Sequence, residues 1–244
     1  MSHMGDVLAG SNAVWEFDTD AVVIRYERGV RNSKLLQTLG ERRIPYAALT
    51  GVELVPGKRG TVVLRALPRP GADPLMEAAG GQLKDSADPY RLVLPADRET
   101  LAEYYTDELR VAVSDNDTGE PADRFLVAAP TGPQSFKAYD ARAAFDGRTV
   151  SFRWFWTGAS TAKWKAGDQH FPVAGLSGVD WRSPELLHGY LRLRPNDDTE
   201  HPGDPDQNPA AVVFGLGYGQ VHESLPFAAS VLAAVQTATR ARRK

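Results

Sequence analysis

The fold is decided by a nine-residue stretch that occurs twice. It reads Ile-Pro-Tyr-Ala-Ala-Leu-Thr-Gly-Val at residues 44–52 and Phe-Pro-Val-Ala-Gly-Leu-Ser-Gly-Val at residues 171–179. Over residues 44–68, 8 of 25 positions are identical to the residues found 127 positions later. Similarity at a fixed spacing indicates an internal repeat, so the sequence predicts two copies of one structural unit.

The repeat extends toward the N-terminus at a spacing of 128. Phe17-Asp18 aligns with Phe145-Asp146, and the strand pattern that follows is shared: Val22, Ile24 and Tyr26 align with Val150, Phe152 and Trp154. Alternation with period two predicts strands that bury one face. In the second copy we expect Trp156, the next residue in phase, to follow Trp154 inward.

Each copy continues with further strands and ends in one helix. The predicted strands cover residues 51–54, 61–67 and 90–94, and residues 178–181, 190–194 and 211–216. In the first helix Asp97 is the expected N-cap, before an apolar stripe of Leu101, Tyr105, Leu109 and Ala112. In the second, Ser224 is the expected N-cap, before Leu225, Ala228, Leu232, Val235 and Thr239. Residues 69–89 and 196–209 are predicted to be loops.

These elements predict a mainly β protein of two tandem modules. Module 1 covers residues 9–112, an acidic linker with proline and glycine covers 113–135, and module 2 covers 136–244. Apolar residues make up 42% of the 244 and charged residues 24%, so each module can bury a core of its own.

The order strand, strand, Ile-Pro-x-x-x-Leu-x-Gly-Val, strand, strand, helix resembles the bacterial pleckstrin-homology-like modules. From Val14-Trp15-Glu16-Phe17-Asp18 to the final helix, the chain resembles the actinobacterial family of unknown function numbered 4429. The resemblance implies two tandem sandwich or barrel modules. It implies no activity, and it supplies no catalytic positions to carry over.

The composition narrows the classes of partner. A net charge of −3 gives no basic field that would recruit nucleic acid. Cysteine is absent, which excludes disulfides and cysteine-ligated zinc and favours a cytoplasmic location. No apolar run approaches the ~20 residues of a membrane-spanning helix, so no integral membrane segment is predicted.

No motif predicts catalysis, a metal or a cofactor. Gly215–Gly219 lies between a strand and a helix, where phosphate loops occur, but it lacks both dinucleotide-binding and P-loop spacing. Asp204, Asp206 and Asn208 alternate like the start of a calcium loop that lacks its glycine and its final glutamate. The histidines at 170, 188, 201 and 222 have no zinc-ligand spacing.

Two groups of residues are candidates for binding. Basic residues occupy corresponding places in both copies and are candidates for an anion: Arg25, Arg28, Arg31, Lys34, Arg153, Lys163 and Lys165. Aromatic residues concentrated in the second copy are candidates for a partner interface: Phe155, Trp156 and Trp164. Phe155-Trp156 replaces Glu27-Arg28 of the first copy, and we expect one of these two rings to contact residues outside module 2.

The favoured function is therefore a non-catalytic cytoplasmic module that docks a protein partner or a second copy of itself. One alternative is a peripheral membrane adaptor that binds anionic lipid through the paired basic loops. Another is an enzyme with a site near Gly215–Gly219.

Overall fold

The computed structural model describes residues 6–116, 119–196 and 203–243. The first half forms β1 (Asp6–Ala9), β2 (Ala13–Phe17), β3 (Ala21–Tyr26), α1 (Lys34–Leu39), β4 (Glu41–Pro45), β5 (Leu49–Pro56), β6 (Thr61–Pro68), α2 (Pro74–Ala79), β7 (Arg91–Pro95) and α3 (Glu99–Ser114). The second forms β8 (Ser135–Lys137), β9 (Ala141–Phe145), β10 (Thr149–Trp154), α4 (Thr161–Ala166), β11 (Gln169–Pro172), β12 (Leu176–Arg182), β13 (Tyr190–Pro195), β14 (Ala211–Val213) and α5 (Val221–Arg242).

The chain forms two compact units. Unit 1 consists of the described residues up to Asp73 together with Lys84–Ala128. Unit 2 consists of Pro74–Leu83 together with the described residues from Ala129 onward. The segment 74–83, which carries α2, thus lies in module 1 of the sequence but packs as part of unit 2.

Both units contain the same two antiparallel sheets and one long helix. In unit 1 a four-stranded sheet has the order β1-β2-β3-β4 and a three-stranded sheet the order β5-β6-β7. In unit 2 the orders are β11-β10-β9-β8 and β12-β13-β14. The long helix packs on the first strand of the smaller sheet in each case, α3 on β5 and α5 on β12. The prediction of a mainly β chain built from two modules is confirmed.

The repeated stretch has the same conformation in both units. Pro45 and Pro172 each end a strand with φ near −60° and introduce a short 3-10 helix. In both units the next strand pair shifts register at the same point, between Leu49 and Gly51 and between Leu176 and Gly178. These bulges are matched because the residues around them are matched.

The predicted alternation describes the larger sheets well. Val22, Ile24, Val150 and Phe152 are fully buried, whereas Arg25 and Arg153 on the opposite phase are exposed. The apolar phase therefore forms the core of each unit. In the described ranges, no helix has the length and apolar character needed to cross a bilayer.

Three short helices replace segments that were expected to be irregular. α1 and α4 follow the third strand of each unit, and the Ser33 and Ser160 side chains accept backbone N–H groups at their N-termini. α2 lies within the predicted loop 69–89 and begins at a proline. Each of these helices has six residues, fewer than two helical turns, so apolar periodicity is too short to indicate them in the sequence.

Both predicted N-caps of the long helices were wrong. α5 begins at Val221, so Ser224 lies buried inside it, where its hydroxyl donates to Gly219 O at 2.8 Å and accepts from Trp181 Nε1 at 2.9 Å. A 3-10 turn, Ala96–Arg98, precedes α3, and Arg98 takes the N-cap position. The buried stripe of α3 is consequently displaced from the predicted one and consists of Ala102, Thr106, Leu109 and Val113.

Candidate functional site

Three cations form a row across the larger sheet of unit 2. Lys137 on β8 pairs directly with Arg142 on β9, and Arg142 pairs directly with Arg153 on β10. Direct cross-strand partners project from the same face of a sheet, and all three residues are exposed. None of them forms an ion pair with a carboxylate in the part of the chain that the structure describes. We refer to Lys137, Arg142 and Arg153 as the basic ladder.

The equivalent face of unit 1 is electrically balanced. Arg25, the counterpart of Arg153, forms ion pairs with Glu16 at 2.6 Å and Glu41 at 2.7 Å. At the position of Glu16, unit 2 has Ala144, which cannot neutralise Arg153. At the position of Glu41 it has Asp168, whose carboxylate accepts the backbone N–H of Trp154 at 3.3 Å and forms no ion pair with Arg153 among the described residues. The repeat thus shows that this sheet needs no accumulation of positive charge for folding, since unit 1 does without it.

Aromatic rings surround the basic ladder. The Lys137 ammonium lies 5.4 Å from the centre of the Phe155 ring and 5.3 Å from that of Tyr218, within the range of cation–π attraction. Together the residues enclose an open concavity of about 500 Å³, here called the basic–aromatic surface: Lys137, Tyr139, Arg142, Arg153, Trp154, Phe155, Trp156, Thr157, Trp164 and Tyr218.

Trp156 does not point into the core as Trp154 does. The prediction that the alternating pattern of the strand continues to Trp156 was therefore wrong. β10 ends at Trp154, and the chain then turns, with the N–H groups of Gly158 and Ala159 both donating to Phe155 O. Trp156 stands at the tip of this turn and is 80% exposed. The turn lies close to Tyr139, because a side chain at Gly158 would come within 2.5 Å of Tyr139 O.

A buried ion pair lies in the same unit. The Lys163 ammonium donates to Asp140 Oδ2 at 2.6 Å, and neither side chain is accessible to solvent. Asp140 Oδ1 also accepts the N–H of Val213 at 3.0 Å. Burial raises the pKa of the Asp140 carboxyl, while Lys163 and the Val213 N–H act in the opposite direction. Lys163 is therefore removed from the predicted anion-binding set, because its charge is not available to a ligand.

Unit 1 replaces this ion pair by neutral residues. Asn12 stands at the position of Asp140, donates to Arg91 O at 2.8 Å and accepts the N–H of Val93 at 2.9 Å. Leu36, which is buried, stands at the position of Lys163. The same fold therefore accommodates either a neutral or an ionised pair at this place.

The other basic candidates are dispersed. Arg25 is held by its two glutamates, while Arg28, Arg31, Lys34 and Lys165 are exposed in loops or short helices. Of the seven predicted residues, only Arg153 belongs to the basic–aromatic surface. Lys137 and Arg142 were missed, although Arg142 could have been found by aligning it with Val14 of the first copy.

All three aromatic candidates lie on the basic–aromatic surface. Trp164 is 57% exposed, and Phe155 is half-buried against Lys137. The contact expected between Phe155 or Trp156 and residues outside module 2 stays a prediction.

The remaining motifs form local structure. Gly215–Tyr218 is a closed turn in which the Tyr218 N–H donates to Gly215 O at 2.9 Å. Asp204 and Asn208 accept backbone N–H groups of their own loop. Within the described ranges, no three acidic or histidine side chains are grouped as a metal site would require. His201 lies outside the described residues.

Unit 1 has a smaller concavity of about 200 Å³ with an acidic lining. Phe17 and Tyr105 stack there with ring centres 4.8 Å apart. Burial, reinforced by Asp18 and Asp20, raises the pKa of the adjoining Tyr46 to about 12. Asp18 is itself paired with Arg43, so part of this negative charge is neutralised.

Comparison with known proteins assigns the chain to a family. A search of curated proteins finds no match. A family model described as a domain of unknown function, DUF4429, matches residues 15–110 and 143–232, which together exceed half of the chain. The first matched segment runs from β2 to α3 and the second from β9 to α5, so each covers one copy of the repeat. The protein therefore belongs to the DUF4429 family and carries two copies of its module.

Proposed function

We propose that the protein is a non-catalytic binding module that docks a protein partner, or a second copy of itself, through the basic–aromatic surface. The observation that carries the proposal is the exposure of Trp156 and Trp164 at the rim of a concavity. Tryptophan is costly to leave in water and is enriched among the residues that dominate interface energies. Unit 1 has no tryptophan at the corresponding positions, Arg28 and Gln37.

The proposal extends to the type of module and its location. A four-stranded sheet, a three-stranded sheet and a terminal helix in each half support a pleckstrin-homology-like assignment, a fold widely used for docking. The absence of cysteine supports a cytoplasmic protein, and the preference for arginine over lysine supports an actinobacterial source.

The alternative of a peripheral membrane adaptor is less well supported. Of the basic residues in its paired loops, Lys163 is buried in an ion pair and Arg25 is paired with glutamates, so neither charge is available to a lipid. The enzyme alternative likewise gains no support from Gly215–Gly219, because the turn is closed by its own hydrogen bond.

The test replaces two aromatic residues of the surface with the residue types found at the corresponding positions of the first copy. Phe155→Glu combined with Trp156→Arg should abolish capture of the partners that cross-link to the wild-type chain, or abolish concentration-dependent sedimentation if the partner is a second copy. Leu187→Glu is the matched control, because Leu187 is equally exposed at 80% but lies outside the surface. Capture and sedimentation that survive the double substitution would refute the proposal. Pelleting with anionic vesicles that depends on Arg28 and Arg31 would favour the membrane alternative.

A further inference from the structure

We propose that the basic–aromatic surface binds a phosphate monoester attached to a planar ring, as in a nucleoside monophosphate. The inference rests on the proposed binding role of the same surface and names the chemistry of a ligand for it. Two sets of groups among the described residues support it: the cations of the basic ladder, which have no carboxylate partner, and the indoles of the rim, which have no stacking partner.

The basic ladder favours a compact anion of high charge. Like charges directly opposite each other destabilise a sheet, and the ladder contains two such pairs in succession, Lys137–Arg142 and Arg142–Arg153. An anion bound across the row relieves this repulsion. A phosphate monoester carries a charge of about −1.5 to −2 near pH 7 and offers three acceptor oxygens, whereas a single carboxylate has one charge and two oxygens. Two guanidinium groups and an ammonium match the phosphate better.

The rim favours a planar group attached to that anion. Trp156 and Trp164 have no stacking partner among the described rings. Exposed indoles beside a cationic groove stack on planar bases, and this stacking tolerates different bases. The concavity of about 500 Å³ lies within the range of roughly 300–1,000 Å³ that is typical of small-ligand sites. Because cations and rings line one concave surface, they suit a ligand that enters it better than a flat bilayer.

The first experiment separates the contribution of charge from that of stacking. The full chain is titrated with adenosine 5′-monophosphate, adenosine and inorganic phosphate, with tryptophan fluorescence and calorimetry as readouts. We expect the monophosphate to bind at least about tenfold more tightly than either fragment, because only it engages both the ladder and the rim. Higher salt should weaken binding of the monophosphate and of phosphate, but not of adenosine.

The second experiment uses the residue that neutralises unit 1. Ala144→Glu places a carboxylate beside Arg153, as Glu16 lies beside Arg25, without removing any cation. It should weaken binding of the monophosphate at least about tenfold, since the ladder then has an internal anion. Arg148→Glu, in the exposed turn between β9 and β10, makes the net charge two units more negative, against one unit for Ala144→Glu, and serves as the control for a general charge effect; it should leave binding unchanged. Trp156→Ala should weaken binding of the monophosphate but not of inorganic phosphate.

Several results would overturn the inference. Monophosphate binding that is no tighter than phosphate binding, or that is unchanged by Ala144→Glu in a chain with wild-type circular dichroism, contradicts it. Binding to phosphatidic acid vesicles without binding to the monophosphate would assign the phosphate to a lipid. If the monophosphate does not bind but partner capture still requires Phe155 and Trp156, this inference fails alone. If the monophosphate does not bind and partner capture does not require Phe155 and Trp156, both this inference and the proposed function are contradicted.

Discussion

Replacing Lys163 and Asp140 together should change the free energy of unfolding little, whereas replacing either residue alone should lower it strongly. At 2.6 Å and an effective dielectric constant of about 20, their attraction is about 6 kcal/mol, which is comparable to the several kcal/mol lost by desolvating each ion. The net contribution of the pair is therefore small. Lys163→Leu or Asp140→Asn alone leaves one partner buried without compensation, which should lower the free energy of unfolding by about 3–5 kcal/mol.

The double variant Lys163→Leu with Asp140→Asn installs the residues of unit 1 at both positions. Asn12 shows that an asparagine can still accept the strand N–H there, so this variant should lie within about 1.5 kcal/mol of the wild type. Lys165→Leu is the matched control, since it removes an exposed lysine from the same helix and should change stability by less than about 0.5 kcal/mol.

Urea unfolding followed by tryptophan fluorescence measures this effect in the full chain. Four of the five tryptophans lie in unit 2, so the signal reports mainly on the unit that carries the pair. Single variants that cost less than about 1 kcal/mol, or a double variant as unstable as the sum of the two, would refute the reasoning.

Three further predictions concern unit 2. Ser224→Ala should destabilise it by about 1–3 kcal/mol in urea unfolding, because Trp181 Nε1 loses its buried acceptor; a cost near zero would contradict this. Gly158→Ala should displace the turn that carries Trp156, because the new Cβ would collide with Tyr139 O. The tryptophan fluorescence spectrum should therefore shift, and an unchanged spectrum would contradict the displacement of Trp156. Asp146 accepts two backbone N–H groups, which lower the pKa of its carboxyl, so NMR titration should place it below an ordinary aspartate, and its stabilising effect should be lost as pH falls through that value.

The sequence predicted those parts of the fold that depend on period and repetition. The strand phases of Val22–Tyr26 and Val150–Trp154 followed from alternation, and the matched prolines from alignment of the two copies. It did not predict the short helices. For α2, proline at the first helical position was a usable signal, because that position needs no N–H donor.

The candidate site was only partly visible in the sequence. Phe155, Trp156 and Trp164 stood out because the first copy lacks them. The basic ladder did not, because cross-strand partners are fixed by turn lengths and register, which place Lys137 beside Arg142 only once the sheet is paired. Lys163 was misjudged because its countercharge, Asp140, lies 23 residues away along the chain.

The assignment of Pro74–Leu83 to unit 2 has a consequence for how the protein is made. Gln82 exchanges hydrogen bonds with the backbone of Trp181 and Ser183, about a hundred residues later, and α2 packs on α5. The second half of the gene therefore does not encode all of unit 2. During synthesis Pro74–Leu83 is made first, and it can pack in unit 2 only after the residues from Ala129 onward have been made. A chain cut near residue 129 would release two fragments, and the later one would lack this segment unless it were supplied in trans. The duplication has thus produced two similar modules, and the second half of the gene alone does not encode all of the second one.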